Sequence, residues 1–208
     1  MRFSTHGAQG VILFSPTDVL ISVPSPSVDA YMHTSHIGVS AHIRIGQLET
    51  ALREARTELR KQFVGANPQT TIVGTNQGIE RVSMFIGNDP SAWQTDAPTF
   101  SGVTYQQIYP GIDLQYNSVE RRLKGTYVVA AGADPSRIRW TYTGVRQKQL
   151  VSNGDLVLSL AGPPGRPENH TTTEKAPVAW QFQNGQRTDI PVSYQLRFRP
   201  HRSSKAPL

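Results

Sequence analysis

Cysteine is absent from the 208 residues. Its absence removes thiol catalysis, Cys-based zinc sites and disulfides together. Export stays open, because a chain of this length buries about 70% of its unfolded surface and folds without covalent staples. No segment approaches 18 consecutive apolar residues, so no membrane span is expected. The opening MRFSTHGAQG has no apolar core of a signal peptide, so an exported parent would carry its signal on a longer gene product. Missing as well are GxSxG, HExxH, a P-loop and a GxGxxG that opens a helix. Gly7 and Gly10 stand before a strand, the wrong context for cradling phosphate. The expectation is a protein that is not an enzyme, with no catalytic residues, no metal site and no cofactor, and with its binding residues unassigned.

Acidic charge is scarce in the second half of the chain. Residues 1–118 hold 7 Lys+Arg against 9 Asp+Glu, and residues 119–208 hold 14 against 6, within an overall formal charge of +6. A basic stripe suits nucleic acid or an acidic polymer. The RNP, KH and zinc-finger patterns are missing, so a solvated basic surface is the better reading and no specific nucleic-acid partner is expected.

What the chain does have is alternation. Val103 to Gly144 reads VTYQQIYPGIDLQYNSVERRLKGTYVVAAGADPSRIRWTYTG. Val103, Tyr105 and Gln107 are set on one face. Tyr109-Pro110-Gly111 forms a type II turn, with Pro fixing φ and Gly taking the positive φ. Ile112, Leu114 and Tyr116 resume the alternation, with Asp113 and Gln115 opposite. Asn117 to Arg122 reads as a polar connection, and Gly125 to Ala131 as a strand with Tyr127 and Val129 on one face. Ala133-Asp134-Pro135-Ser136 turns the chain again, and Ile138, Trp140 and Tyr142 then share a face. Strands at this spacing predict an antiparallel meander, since parallel pairing needs crossover helices.

The rest follows the same grammar. Two strands flank His6-Gly7-Ala8-Gln9, and Val19, Ile21 and Val23 alternate after a turn at Pro16-Thr17-Asp18. Residues 24–56 read as a variable insertion, with a strand over Ile37 to Ile45 and a helix near 47–56 (QLETALREAR). Leu59 to Val64 and Thr70 to Thr75 are strands, with turns at Gly65–Pro68 and Asn76-Gln77-Gly78. Gly87 through Trp93 to Pro98 reads as a long irregular connection. Asn153-Gly154 and Asn184-Gly185 each mark a hairpin. Ala161 to Asn169 is a Pro/Gly loop, and residues 200–208 form a polar, disordered tail. The expected architecture is all-β: a two-sheet antiparallel β-sandwich over 1–199 with one short helical insertion.

Several side chains invite a site and are weighed against ordinary roles. His33, His36 and His42, with Asp29 near them, match no zinc spacing and read as exposed loop histidines. Asp89, Asp113, Asp134 and Asp155 lie in or beside turns. They could converge on calcium, or simply cap their own backbones, and no DxDxDG run favours the first. No acid stands out by context as half of a glycosidase pair. Trp93, Trp140 and Trp180, with Tyr105, Tyr109, Tyr116, Tyr127 and Tyr142, could stack on sugars, but aromatics in alternating strands are more often core. Arg197 and Arg199 around Phe198 suit a charged edge that discourages strand pairing. Asn169-His170-Thr171 fits the glycosylation pattern.

Six segments fall in one order: FVGANP (Phe63–Pro68), FIGNDPSAW (Phe85–Trp93), YPGIDLQY (Tyr109–Tyr116), VVAAGADPSRIRW (Val128–Trp140), NGDLVL (Asn153–Leu158) and EKAPVAWQFQNGQR (Glu174–Arg187). Together they resemble the β-rich domain that precedes SBBP-type β-propeller repeats in bacterial cell-surface proteins, over about Arg2 to Phe198. The family usually begins with one further strand, which would lie before residue 1. The resemblance implies a β-sandwich-like fold, an extracellular or cell-surface setting, and partners among neighbouring domains such as a β-propeller, or a cell-surface polymer. It supplies no catalytic residues. The function expected is that of a structural or adhesive module; a carbohydrate-binding module using exposed aromatics is the alternative.

Overall fold

The computed structural model describes residues 3–7, 10–24, 56–84, 88, 90–119, 122–162 and 170–197. They are nearly all β, in antiparallel sheets, and the fold is sandwich-like. The chain forms two compact units, Met1–Gly144 and Val145–Leu208.

The first unit contains β1 (Phe3–Gly7), β2 (Gly10–Ser15), β3 (Asp18–Pro24), β4 (Arg56–Phe63), β5 (Thr71–Met84), β6 (Gln94–Tyr109), β7 (Ile112–Val119), β8 (Arg122–Val129) and β9 (Trp140–Thr143). One sheet runs β1-β2-β3-β4-β9 and the other β5-β6-β7-β8. Their apolar faces meet. Phe14 of β2 packs on Tyr116 of β7 at 5.6 Å between ring centroids, and Phe63 of β4 meets Tyr105 of β6 edge-on at 5.7 Å. Tyr105, Ile108, Ile112 and Leu114 have no exposed surface. Alternation is why: residues two apart share a face, and the opposing sheet takes that face out of water. Tyr127, Ile138 and Trp140 pack against this core as expected, whereas Val129 is exposed.

The turn at Pro110-Gly111 joins the paired residues Tyr109 and Ile112, and Gly111 has φ +72°, as the type II reading requires. Gln107 does not share the inward face with Val103 and Tyr105. It is exposed at φ +51°, where the β6–β7 register slips between Tyr105 and Tyr109. The irregularity lets Ile108 and Tyr109, though adjacent, both be buried. Asp113 secures it: the Gln107 N–H donates to Asp113 Oδ1 at 2.7 Å, and the Gly111 N–H donates to Gln107 Oε1 at 3.0 Å.

Three expected connections are wholly or partly strand. β5 runs through Asn76-Gln77-Gly78 with Asn76 at φ +52° and Gln77 still paired with Phe100, and the register shifts only beyond Gln77, before Arg81. After a 3-10 turn at Pro90–Ala92, β6 begins at Gln94 and includes Pro98. Pro98 is tolerated because, among the described residues, this half of β6 pairs only with β5; pairing with β7 starts at Gly102, so no ladder described on that side needs its missing N–H. β7 and β8 likewise extend toward each other until Val119 pairs with Arg122. Of the helix expected near 47–56, residues 47–55 lie outside the described residues, and Arg56 opens β4 in register with Pro24. The strand expected over Ile37 to Ile45 and the tail at 200–208 also lie outside them.

The second unit contains β10 (Val145–Leu150), β11 (Leu156–Leu160), β12 (Thr171–Glu174), β13 (Ala179–Gln183) and β14 (Gln186–Ile190). β10, β11 and β12 make a three-stranded sheet, and β13 and β14 a separate two-stranded one. Leu156, Leu158 and Leu160 bury one face of β11. The two Asn-Gly dipeptides act differently. Asn184 at φ +51° and Gly185 at φ +78° form a two-residue type I′ turn that pairs Gln183 with Gln186. Asn153-Gly154 sits inside a longer loop, closed by Leu150 pairing with Leu156 and by the Val151 N–H donating to the Asp155 carbonyl at 3.0 Å.

Candidate functional site

Each described candidate acid is engaged by its own surroundings. Asp113 holds the β6 irregularity. Asp134 caps the 3-10 turn Pro135–Arg137 by accepting from the Ser136 N–H at 2.9 Å; the Ser136 side chain first, then this amide, hold its carboxyl below the usual carboxylate range. Asp155 is buried. It accepts from Lys175 Nζ at 2.9 Å, from the Ala176 N–H at 2.8 Å and from Asn153 Nδ2 at 3.1 Å. The Lys175 bond first, then the Ala176 amide, hold its pKa low. This constellation staples the β10–β11 loop to the chain after β12, a structural role. Asp89, Asp29, His33, His36 and His42 lie outside the described residues, as do Asn169, Phe198 and Arg199. No group of three or more His, Cys, Asp or Glu suited to a metal occurs among the described residues. Gly7 and Gly10 pair with each other across the β1–β2 connection.

The aromatics expected as a possible platform separate. Tyr105, Tyr109, Tyr116 and Tyr142 are buried. The Tyr105 phenol is pushed up by burial and, secondarily, by the nearby Asp18 charge. The Tyr109 hydroxyl donates to the Arg139 carbonyl at 2.8 Å, tying β6 to the residue before β9; burial raises its pKa and this bond partly offsets the rise. Trp140 is half-buried, stacked on Tyr127 at 6.4 Å with Lys61 Nζ 4.1 Å from its ring centroid on β4's side. Trp93 and Trp180 are exposed, in different units.

Trp180 belongs to the feature that stands out. In β13 and its flank, Val178 is 73% exposed and Phe182 72%, and they share a face with Trp180. Ile190 and Val192 on the returning chain are exposed too. Across the hairpin, Trp180 pairs with Asp189 and Phe182 with Arg187. The Arg187 guanidinium lies 4.6 Å from the Trp180 ring centroid and its Nε is 3.0 Å from Asp189 Oδ1, so the charged pair neutralises itself beside the indole. At the base, Pro177, Val178, Ala179, Arg187, Asp189, Ile190 and Val192 line an open depression of about 210 Å³. Tyr194 anchors the following segment, its hydroxyl donating to the Lys175 carbonyl at 2.9 Å. Burial, then the Glu174 and Asp155 charges, push its pKa up to about 12.

Chemically this is apolar and π surface with one self-paired charge, suited to contact rather than bond-making. The sequence reading found the hairpin and Trp180 but not Val178, Phe182, Arg187 or Asp189 as a group. The signal was there in the alternation of VAWQF ahead of Asn-Gly.

Among the described residues, no helix is long and apolar enough to cross a membrane. No curated protein and no solved structure matches the chain. The family model that does match spans residues 1–202, all of the first compact unit and most of the second, and places the chain in the family described as a domain of unknown function, DUF7948.

Proposed function

We propose that the chain is a non-enzymatic structural or adhesive module of an exported, cell-surface protein, making contact through the β13–β14 hairpin. One observation carries this reading: Val178, Trp180 and Phe182, alternating along one face of β13 and its flank, stand exposed, and Ile190 and Val192 of the returning chain are exposed as well, Ile190 opposite Ala179 on the other face. Apolar residues scattered singly need no explanation, whereas a concentration of them marks a contact surface. The resemblance to the domain that precedes β-propeller repeats supports the cell-surface setting and a neighbouring domain or surface polymer as partner. The test is retention of the purified chain on washed bacterial envelope material. Retention that falls about tenfold or more in Phe182→Ala, with the fold intact, supports the reading; equal retention of both proteins, or turnover in a hydrolase panel, overturns it.

A second reading rests on Trp180 itself. An exposed indole beside the Arg187–Asp189 pair combines a stacking face with hydrogen-bonding groups, the chemistry a carbohydrate-binding module uses. Glycan-array binding lost in Trp180→Ala or Trp93→Ala would favour this alternative over a protein contact.

A further inference from the structure

We infer that the outer edge of β13 pairs with β13 of a second copy of this chain. The type I′ turn makes Gln183 and Gln186 a hydrogen-bonded pair, so Gln181 and Ala179 also bond to β14. The N–H and C=O groups of Trp180 and Phe182 therefore point away from β14. Among the described residues no backbone bond outside the hairpin reaches them. Natural edges are commonly guarded by charge. Two other edge strands here are: β8 carries Arg122 and Lys124, and β10 carries Arg146 and Lys148, all exposed. β13 reads AWQFQ, with no charge and no proline.

This edge is self-complementary about a two-fold axis. An antiparallel pairing centred on Trp180 sets Trp180 opposite its symmetry mate and Val178 opposite Phe182 of the second copy, twice. Each exposed apolar side chain of the edge then meets an apolar partner on the same face, and the outward amides of Trp180 and Phe182 find carbonyls. Charge agrees, because Arg187 and Asp189 neutralise each other and bring no repulsion to the axis. A two-stranded ribbon is marginal alone, and the pairing converts it to four strands, β14-β13-β13-β14. An isologous contact closes at two copies, which keeps an open edge from growing a fibre.

The inference rests on reading the hairpin as a contact surface. Sedimentation equilibrium of the full chain tests it at about 50 µM, where a micromolar self-affinity populates a dimer. The expected result is a dimer that Phe182→Lys weakens at least about tenfold. Val178→Lys is a second such variant should the first misfold, and Gln186→Lys, which adds the same charge on β14, leaves the dimer in place. A monomeric wild type, open-ended oligomers, or a dimer indifferent to both edge lysines overturns the inference. A monomer that still loses envelope retention on Phe182→Ala removes the self-pairing alone and leaves the contact-surface reading standing.

Discussion

β7 and β13 carry the same sequence pattern and meet opposite fates. In β7, Ile112, Leu114 and Tyr116 are 0%, 0% and 6% exposed; in and beside β13, Val178, Trp180 and Phe182 are 73%, 38% and 72% exposed. Both stretches alternate, and both adjoin a well-formed two-residue turn. The difference lies in what faces them. β7 sits inside a four-stranded sheet whose apolar side meets Phe14 and its neighbours on the five-stranded sheet. Among the described residues β13 pairs with β14 alone. Alternation makes a strand; a second layer makes a core.

The sharpest way to break this comparison is to truncate one side chain in each strand. Leu114→Ala should cost about 2–5 kcal/mol, because it opens a cavity between two packed sheets. It is checked by urea unfolding of the wild type and variant. A cost under about 1 kcal/mol would place Leu114 in solvent and undo the sandwich.

Glycines extend the contrast. Gly144 has φ +79°, and a Cβ there would run into the Glu58 carbonyl oxygen. Gly185 has φ +78° with nothing within 4 Å of such a Cβ. Gly144→Ala should therefore cost about 1–3 kcal/mol from backbone strain and more from the clash, and Gly185→Ala only the strain. Equal losses in thermal unfolding would mean the β4–β9 junction gives way freely.

Acid should act on the second unit through Asp155. Its folded pKa lies below its unfolded value of about 4, so its stabilisation is complete above that pH and is lost as pH falls through the lower, folded pKa. Asp155→Asn should be less stable than wild type at neutral pH, and the gap should narrow in acid. Trp180, the tryptophan of that unit, reports it by fluorescence. A gap that does not change with pH would mean that the Lys175 bond is not formed. The smallest effect belongs to Phe182→Ala, within about 0.5 kcal/mol at monomer concentrations, since the ring is already in water.

Much of the fold was legible in residue order. Ile112, Leu114 and Tyr116, the Pro110-Gly111 turn and the Asn184-Gly185 turn follow from side-chain period and turn chemistry, which are local. Gln107 was not legible, because its irregularity depends on Asp113 reaching back to it. Nor was the passage of β5 through Asn76-Gln77-Gly78: those residues suit a turn, but pairing along β6, Thr75 with Gly102 and Gln77 with Phe100, keeps them within the strand. Thr171–Glu174 escaped as a strand because an all-polar run has no apolar period; only its register with β11 defines it. The candidate site was half legible. Trp180 and its turn were visible, but exposure is set by the layer that does or does not face the hairpin, and no local pattern records that.

Amide hydrogen exchange, read residue by residue in dilute protein, tests the central contrast most directly. The Trp180 and Phe182 amides should exchange at nearly open-chain rates, while those of Leu114 and Tyr116 should wait for global unfolding. If Trp180 and Phe182 were instead as slow as Leu114 when dilute, the chain itself would be covering that edge, and the hairpin would be no contact surface.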